Sequence, residues 1–464
     1  MESISQKNIL ENILLEHGTI ITMDEKRRII MENGSVLIEG NRVAAVGKEL
    51  KEKAEKRIDC KNKLILPGLI DCHVHLAQAL LRGSADDLAL VPWLRGRVWP
   101  LQSTYNSEIG RLSAQLCMIE MIKSGTTTFV ECMLHTKYGF DEIAKEVEST
   151  GLRAVLSKTL MDMPYYADQS MYEGMIETKE GSMKETISMI QKYHGKANNR
   201  IHVWFGPRTP GACSPEFYRE MSARAKEYDV GITLHLAETK GDIVFLKKEY
   251  GMTPIEFMEH CGLVGKHVIY VHGVWLPKSD FPKIKGTVCH CPASNLKLAS
   301  GFAPVEELIN ANVNVALGCD GAPCNNTYDM IKEMRLAALI QKPRLMDPRV
   351  LPAEKVLEMA TINGAKPTHW NKELGSIEKG KLADLIIIDL HKPHLIPMRN
   401  PVSTLVYSAN GSDVDTVIVD GKLLMENREL KTINEAKVID EVMEKGLLPD
   451  KKAGLNIRSR WPTV

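Results

Sequence analysis

The chain has 464 residues, a formal net charge of zero and 44% hydrophobic residues. This length allows one large domain and a smaller one, and the neutral charge balance argues against nucleic acid or a membrane surface as the main partner. No apolar stretch reaches the roughly 20 residues of a membrane span, so no membrane partner is predicted.

The first residues and the cysteines indicate the compartment. Residues 1–7 contain no basic segment followed by an apolar run, so we predict no signal peptide. The ten cysteines show neither a disulfide-type spacing nor a Cys-x-x-Cys pair. We therefore expect a reduced protein of the cytoplasm.

Short strand-like segments separated by tight turns make up the first sixty or so residues. A second group of such segments begins near residue 382. Gly40-Asn41 in the first region and Asp420-Gly421 in the second each lie between two apolar segments, and both predict hairpins. Neither region has enough strands for a stable sheet by itself. The two chain ends are therefore predicted to form one small β-sandwich domain.

Strand-like and helix-like segments alternate between these two regions. Eight strands are predicted, namely one ending at His73 and then 126–130, 153–156, 201–205, 231–235, 268–272, 287–290 and 313–317. This alternation predicts an α/β fold, a (β/α)₈ TIM-type barrel with its functional residues at the carboxyl ends of the strands. A doubly wound open sheet is the alternative, but no Gly-x-Gly-x-x-Gly turn follows a strand.

The predicted organisation is a barrel inserted into a β-sandwich. Its parts are residues 1–66 and 372–430 for the sandwich, 67–371 for the barrel and 431–464 for a C-terminal helix and tail. The last part is predicted as one charged amphipathic helix followed by irregular chain.

Two histidines separated by one residue, His73 and His75, follow a short apolar run that predicts a buried strand. Side chains at i and i+2 of a strand point to the same face, so both imidazoles can reach one metal ion. Two unrelated surface histidines are the alternative. The Pro67-Gly68 turn before the strand and further ligand candidates at other strand ends favour the metal.

Those further candidates are His235 and Asp320, each at the end of a predicted strand. Alone, a strand-end histidine is often structural, and an aspartate before glycine often forms a turn. Together with His73 and His75 they make three imidazoles and one carboxylate, a four-ligand shell with room for water. Strand 201–205 carries no lysine that could bridge a second metal, so one ion is predicted, and His202 is interpreted as structural.

Two more residues at strand ends suit proton chemistry. Glu238 follows His235 by three residues, and next to a metal its carboxylate would be placed to shuttle protons. A solvated loop residue is the ordinary alternative for such a glutamate. His272 ends the following strand, and Gly273 allows a sharp turn there.

The motifs resemble those of the amidohydrolase superfamily, in its branch of metal-dependent deaminases and chlorohydrolases. They are Pro67–His75, His235–Glu238, Val271–Gly273, Cys291–Gly301 and Gly318–Asn326. Leu81–Gly83, Ala85–Leu88, Trp93-Leu94 and Val98–Leu101 are similar to the group of 5-methylthioadenosine/S-adenosylhomocysteine deaminases.

The resemblance implies one divalent metal ion, Zn²⁺ first and Fe²⁺ as the alternative, held by His73, His75, His235 and Asp320. It implies that Glu238 is the proton shuttle, that Asp320 shares the handling of protons, and that His272 polarises water. A homo-oligomer is expected from the family. The predicted enzyme is a hydrolytic deaminase that releases ammonia from a small-molecule, adenosine-type nucleoside, namely 5-methylthioadenosine, S-adenosylhomocysteine, 5′-deoxyadenosine or adenosine.

Three residues depart from the nucleoside deaminases. Gln102 stands where those enzymes place a glutamate for the ribose hydroxyls, and Arg208 stands where a histidine contacts the purine. Lys158 stands where an arginine is expected for the homocysteine carboxylate. Together with Glu238, and with Trp93 as a stacking or packing residue, they are the candidate substrate contacts. A guanine- or pterin-type deaminase, an s-triazine chlorohydrolase or aminohydrolase and a non-catalytic barrel are the alternatives.

Overall fold

The structure is a computed structural model that describes residues 11–163, 165–166, 169–170, 172–457 and 461. The segment on which the signal-peptide prediction rests, and most of the end of the predicted tail, lie outside these described residues. Among the described helices, none combines the length and the apolar character that crossing a bilayer demands.

The described residues contain nineteen strands. They are β1 (Ile13–Ile21), β2 (Ile29–Glu39), β3 (Arg42–Lys48), β4 (Lys56–Asp59), β5 (Lys63–Pro67), β6 (Leu69–Val74), β7 (Thr126–Leu134), β8 (Arg153–Leu160), β9 (Tyr165–Tyr166), β10 (Gln169–Ser170), β11 (Ile201–Pro207), β12 (Ile232–Leu236), β13 (Val268–His272), β14 (Thr287–His290), β15 (Asn314–Leu317), β16 (Leu385–Asp389), β17 (Val414–Val419), β18 (Lys422–Glu426) and β19 (Glu429–Leu430). The sequence predicts most of these strands, but not β4, β9, β10 or β19.

Eight parallel strands form the barrel, in the order β6-β7-β8-β11-β12-β13-β14-β15. A parallel bridge between Val74 and Asp320 connects the chain after β15 with the end of β6 and closes the sheet. These are the eight strands that the alternating pattern predicts, so the predicted barrel is confirmed. Closure brings the carboxyl ends of all eight strands to one rim.

A second, mixed sheet contains strands from both ends of the chain, in the order β19-β18-β17-β16-β5-β1-β2-β3 with β4 beside β1. β5 and β16 join the two halves, with Leu66 opposite Ile386. Both predicted hairpins are present, since Glu39 pairs with Arg42 and Val419 pairs with Lys422. The small β-domain built from both chain ends is thus confirmed, while its residue boundaries stay a prediction.

The apolar run before His73 is two strands, since β5 belongs to the mixed sheet and β6 to the barrel. Gly68 lies at the crossover, packed so closely on Thr127 that an added Cβ would lie 2.0 Å from its Oγ1 atom. Only a residue without a side chain fits there. The chain therefore passes from one sheet to the other without a loop, which holds His73 rigidly at the barrel rim.

A buried ion pair also connects the two sheets. Arg153, the first residue of β8, donates from Nε to Asp384 Oδ2 at 2.9 Å and from an Nη atom to Asp384 Oδ1 at 3.1 Å. Asp420, in the β17–β18 hairpin, lies 3.5 Å from the same guanidinium. The amino end of the barrel is thereby held to the mixed sheet.

The helices alternate with the barrel strands and cover the outside of the sheet. They are α1 (Leu90–Trp93), α2 (Trp99–Ser103), α3 (Ser107–Lys123), α4 (Phe140–Thr150), α5 (Lys179–Tyr193), α6 (Lys196–Asn199), α7 (Pro215–Glu227), α8 (Lys240–Tyr250), α9 (Pro254–His260), α10 (Pro292–Lys297), α11 (Val305–Asn310), α12 (Ala322–Asn325), α13 (Met330–Leu345), α14 (Ala353–Ala360), α15 (Ile362–Ala365), α16 (Pro401–Ser403), α17 (Glu435–Lys445) and α18 (Leu448–Ala453). Short 3₁₀ and π segments lie at Leu76–Leu81, Leu94–Val98, Thr136–Tyr138, Glu173–Met175, Lys278–Lys283, Thr404–Ser408 and Gly411–Asp413.

The predicted single helix after residue 430 is two helices, α17 and α18. Pro449 lies in the first turn of α18, where its missing N–H costs no hydrogen bond, so it starts a new helix. Val438 of α17 packs against Leu112 and Ile119 of α3. The tail therefore docks on the barrel through this small apolar contact.

His202, which the sequence analysis interprets as structural, lies near the amino end of β11, away from the rim. Its ring stacks on Trp370 with centroids 3.9 Å apart and on His194 at 4.6 Å. His369 and His267 stack on each other beside them at 3.9 Å. We call these four histidines the basal histidine cluster.

Candidate metal centre

The barrel brings the predicted ligands together at one rim. His73 lies in β6, and His75 follows directly after it. The His73 ring centroid lies 4.7 Å from that of His75 and 4.9 Å from that of His235. Ligand atoms of His73, His75 and Asp320 lie within 4.8 Å of one another, and those of His73, His235 and His272 form a second such group.

Hydrogen bonds on the outer side of two imidazoles set their tautomers. His235 donates from Nδ1 to the backbone oxygen of Arg208 at 2.8 Å. His272 donates from Nδ1 to Asn295 Oδ1 at 3.0 Å. A carbonyl oxygen only accepts, so each Nδ1 carries the proton and each Nε2 keeps its lone pair. Both lone pairs are thus available to a ligand at the rim.

Asp320 is the carboxylate at the middle of the group. Its Oδ1 atom lies 3.4 Å from His73 Nε2 and 3.3 Å from His75 Nε2, while Oδ2 accepts a 2.6 Å hydrogen bond from Ser294 Oγ. Burial by itself would raise the pKa of Asp320, but the two imidazoles hold it well below its ordinary value. Asp320 is therefore ionised at neutral pH.

The imidazoles of the site differ in pKa and therefore in charge at neutral pH. Burial lowers the pKa of His73 to about 4 and that of His235 well below its usual value, so both are neutral. Against the effect of burial, hydrogen bonds with Asp320 and Glu131 raise the pKa of His75 to about 9. The two carboxylates thus attract positive charge to this point of the rim.

These features fit a divalent metal ion. Both ring nitrogens of His73 are buried without a hydrogen-bond partner among the described residues, which is costly unless a ligand satisfies one of them. Imidazole nitrogens with one carboxylate oxygen are a donor set that zinc and iron accept. Three observations therefore favour a divalent cation here: the donor chemistry, the buried unpartnered nitrogens of His73 and the negative charge of Asp320.

Glu238 lies beside these residues, two positions after β12 ends. Its Oε2 atom is 3.6 Å from His272 Nε2, and the side chain is buried. Burial, and then the nearby charge of Asp320, raise the pKa of Glu238 well above its ordinary value. A carboxyl with this preference takes up a proton readily, as general acid–base catalysis requires.

Glu131 is a buried residue of the site that the sequence analysis missed. It accepts hydrogen bonds from the backbone N–H groups of Leu76 and of Met133, the latter at 2.8 Å, and its Oε1 atom lies 3.8 Å from His75 Nδ1. The predicted strand stops at Val130, whereas β7 continues to Leu134. A charged residue directly after an apolar strand is the signal that would have found it.

A cavity of about 650 Å³, partly open to solvent, adjoins the centre. This volume is within the range of small-molecule sites. Four of the five predicted substrate contacts line it, namely Trp93, Gln102, Arg208 and Glu238. Its wall also includes His135, Tyr138, Thr159 and Met175, none of which the sequence analysis singled out.

Lys158 differs from its prediction as a substrate contact. It is fully buried, and its Nζ atom lies 2.6 Å from Glu177 Oε2. Thr159, the next residue of β8, faces the cavity, and neighbouring residues of a strand point to opposite sides. Lys158 therefore lies behind the wall of the cavity, and it is not among the residues that line it.

Arg208 and Trp99 pack together at the cavity. The guanidinium carbon lies 4.9 Å from the Trp99 ring centroid, and Nη1 is 3.6 Å from Met133 Sδ. Trp99 is buried in α2, and Trp93 in α1 donates from Nε1 to the backbone oxygen of Pro323 at 3.4 Å. The segment after β6 thus forms one side of the cavity.

Comparison with known proteins gives three related results. The model of the amidohydrolase family matches residues 64–424. A 5′-deoxyadenosine deaminase from Methanobrevibacter smithii is 40% identical over 431 residues, which are 92% of this chain and 95% of that protein. A 5-methylthioadenosine/S-adenosylhomocysteine deaminase from Thermococcus sibiricus is 41% identical over 417 residues, or 89% of this chain and 94% of that protein.

A solved structure is also similar over almost its whole length. It is the crystal structure of an adenosine deaminase from Xanthomonas campestris with bound zinc, which matches with a TM-score of 0.88 and 28% sequence identity. The match covers 95% of this chain and 99% of that one.

Proposed function

The chain belongs to the amidohydrolase family, and we propose that it is a hydrolytic deaminase of adenosine-type nucleosides that uses one divalent metal ion. The observation that carries the proposal is the convergence of three imidazoles and Asp320 at one barrel rim, with the buried carboxyl of Glu238 beside them. The names of both sequence relatives, which are deaminases of adenosine derivatives, support the same substrate class.

His73, His75, His235 and Asp320 are the residues that would hold the metal. We propose Zn²⁺, because the donor set suits it and the adenosine deaminase from Xanthomonas campestris has bound zinc. Fe²⁺ is the alternative, since it accepts the same donors. When bound, the ion would supply Lewis-acid activation of water.

Glu238 is proposed to move the proton. Hydrolytic deamination takes a proton from the attacking water as the carbon–oxygen bond forms, and it gives one to the amino nitrogen as the carbon–nitrogen bond breaks. One carboxyl can do both in turn if it accepts and releases a proton readily near neutral pH. The raised pKa of Glu238 supports this role.

His272 and Asp320 are proposed to complete the proton chemistry. His272 Nε2, with its lone pair set by the Asn295 hydrogen bond, lies 3.6 Å from Glu238 Oε2 and 3.9 Å from Asp320 Oδ2. It can accept a hydrogen bond from the attacking water and orient it. Asp320 remains ionised and can take the hydroxyl proton as the carbonyl product forms, and it can then return that proton to the ring nitrogen.

Gln102, Arg208 and Trp93 are the proposed substrate contacts in the cavity. The Gln102 amide can exchange hydrogen bonds with sugar hydroxyls, and Trp93 offers a flat apolar surface to a ring. The Arg208 guanidinium is a fixed multiple donor, which suits acceptor atoms on the ring edge. The same guanidinium favours a second candidate, a guanine- or pterin-type substrate, because those rings carry a carbonyl oxygen.

The test is a substrate panel with zinc-loaded protein. We expect ammonia release from adenosine, 5′-deoxyadenosine and 5-methylthioadenosine, and slower release from guanine and pterins. Treatment with a chelator should abolish activity, and added zinc should restore it. Release of chloride or alkylamine from s-triazines, with no ammonia from any nucleoside, would replace the proposal by the chlorohydrolase or aminohydrolase alternative. The expected homo-oligomer and the cytoplasmic location stay predictions.

A further inference from the structure

One wall of the cavity lies well away from the metal centre. Glu131, beside His75, and Met133 line the cavity from β7, and His135 lines it just after the strand ends. A strand advances about 3.3 Å per residue, and β7 matches only two steps of β8 between Glu131 and Leu134, so His135 lies roughly 10 Å beyond Glu131 along this direction. A nucleoside whose reacting carbon is at the metal centre would place its sugar near this wall.

His135 has a ring N–H group at the cavity wall. Its Nδ1 atom accepts from the backbone N–H of Lys137 at 3.2 Å, so in the neutral ring the proton is on Nε2. Burial lowers the pKa of His135 to about 4, which keeps the ring neutral. Among the described residues Nε2 makes no well-aligned hydrogen bond, although Glu177 Oε1 lies 3.3 Å away and the backbone of Met175 favours a proton on the ring.

The two lysines near His135 are both engaged by oxygen atoms, and Lys137 donates to the backbone oxygen of Gly174 at 2.8 Å. Lys158 donates to Glu177 at 2.6 Å and to the backbone oxygen of Thr159 at 2.8 Å, and Glu185 of α5 lies 3.7 Å from its ammonium. The sequence from 159 to 178 contains no lysine or arginine but four acidic residues. Arg208 is the one lysine or arginine among the residues that line the cavity.

We propose that His135 is a specificity-determining residue that donates from Nε2 to a sugar oxygen of the substrate, and that its wall selects uncharged 5′ substituents over those that end in a carboxylate. The inference rests on the proposed function and narrows its substrate. A carboxylate brought to this wall would lose its water, would find the nearby lysines already bonded to other oxygen atoms, and would face Glu177. A short apolar substituent would instead contact Tyr138 and Met175, which line the same cavity.

The first test compares kcat/KM of the full-length, zinc-loaded protein for 5′-deoxyadenosine, 5-methylthioadenosine and a 5′-carboxymethylthio derivative of adenosine, which ends in a carboxylate and carries no ammonium. We expect the two uncharged substrates to be preferred by about tenfold or more, the effect of one unfavourable charge of about 1.4 kcal/mol. Equal or better turnover of the carboxylate derivative would overturn the inference and leave the proposed function standing. If no nucleoside is deaminated, the proposed function itself fails.

The second test compares His135→Leu with His135→Gln, which keeps a side-chain N–H donor. We expect His135→Leu to raise KM for 5′-deoxyadenosine about tenfold with little change in kcat, because a sugar contact stabilises substrate and transition state alike. His135→Gln should recover most of the loss. Zinc content and Tm of each variant show whether it has folded.

Free adenine, which has no sugar, is the matched control for this second test. Its turnover, or its inhibition constant where turnover is absent, should be the same in the wild-type protein and in His135→Leu. An equal loss for adenine and for the nucleoside would show that His135 acts on the ring or on the fold. If His135→Leu does not fold, a large KM increase in folded His135→Gln would equally contradict the inference.

Discussion

The backbone oxygen of Arg208 accepts a hydrogen bond from His235 Nδ1 at 2.8 Å, while the side chain of the same Arg208 lines the substrate cavity. Arg208 thus contacts the metal centre through its backbone oxygen and the cavity through its side chain. Its main chain sets which nitrogen of His235 is free to bind a metal, and its guanidinium offers donors to a substrate. The two roles can be separated by substitution, because a side-chain change keeps the carbonyl.

Arg208→Met should therefore impair substrate use without loss of metal. The variant keeps an unbranched side chain beside Trp99 but removes the charged donors, each of which is worth about 1.5–3 kcal/mol when it bonds a substrate. We expect kcat/KM for the nucleoside to fall about tenfold to a hundredfold, with the zinc content unchanged. A parallel loss of zinc, measured by elemental analysis, would show that the side chain supports the centre itself.

Glu238→Gln should abolish most of the activity. The amide is nearly isosteric with the carboxyl but cannot accept and return a proton, so kcat should fall by about 10² to 10⁴. Zinc content should stay at the wild-type level, since Glu238 is not among the proposed ligands. An active variant with normal zinc would mean that another group moves the proton.

Glu131→Gln should weaken metal binding. The Glu131 carboxylate lies 3.8 Å from His75 Nδ1, where its charge favours a proton on that nitrogen and would leave Nε2 to the metal. Loss of a partner of this kind costs about tenfold to a hundredfold in metal affinity. Competition with a zinc chelator measures the change, and Glu146→Gln on α4 is the control that should leave zinc affinity as it is.

Arg153→Met should destabilise the protein strongly. The substitution leaves the buried carboxylate of Asp384 without its partner, which costs about 3–5 kcal/mol of the free energy of unfolding. Denaturant unfolding measures this loss. Arg224→Met is the matched control, because its pair with Glu227 is exposed and should contribute at most about 1 kcal/mol. Equal effects of the two substitutions would contradict the role of the buried pair.

The basal histidine cluster should make stability depend on pH. An unfolded histidine binds a proton below about pH 6.5, whereas burial lowers the pKa of His369 to about 4 and that of His202 to about 2. Between these limits the unfolded chain binds more protons, so the free energy of unfolding falls as the pH falls, by about 1.4 kcal/mol per pH unit for each such histidine.

His202→Phe tests this pH dependence. Phenylalanine can still stack on Trp370 but does not titrate, so the free energy of unfolding should fall less steeply between pH 6 and pH 4 than in the wild-type protein. The expected difference in slope is about 1.4 kcal/mol per pH unit. Urea unfolding at several pH values in one zinc-containing buffer gives both slopes, and parallel slopes would show that His202 does not contribute.

Much of the fold follows from local patterns. Apolar runs of strand length that alternate with helical spacing predict all eight barrel strands, and the two hairpins follow from Gly40-Asn41 and Asp420-Gly421. The resemblance at the motifs also predicts the family and the deaminase class, which the comparisons confirm. The division of the apolar run at Gly68 into β5 and β6 could not be predicted from the sequence. Only the packing of Thr127 against the chain shows that two sheets meet there.

Glu131 and the wall around His135 show a second limit. β7, which carries Glu131 and ends directly before His135, is four residues longer than predicted, because pairing with β8 continues as far as Leu134 opposite Lys158. Pairing in the sheet continues the strand past Glu131, a charged residue that interrupts the apolar run, to Cys132, Met133 and Leu134. The proposed metal ligands were easier to predict, because each lies at or near the end of an apolar strand.

The sequence by itself determined the barrel, the chain ends that share one sheet, and the strand ends from which imidazoles and carboxylates project. Only the tertiary structure decided that Thr159 faces the cavity and that Lys158 faces Glu177, just before α5, and Glu185 within it. The physical reason is that alternation along a strand makes neighbours point opposite ways, while contacts between distant segments decide which way is inward.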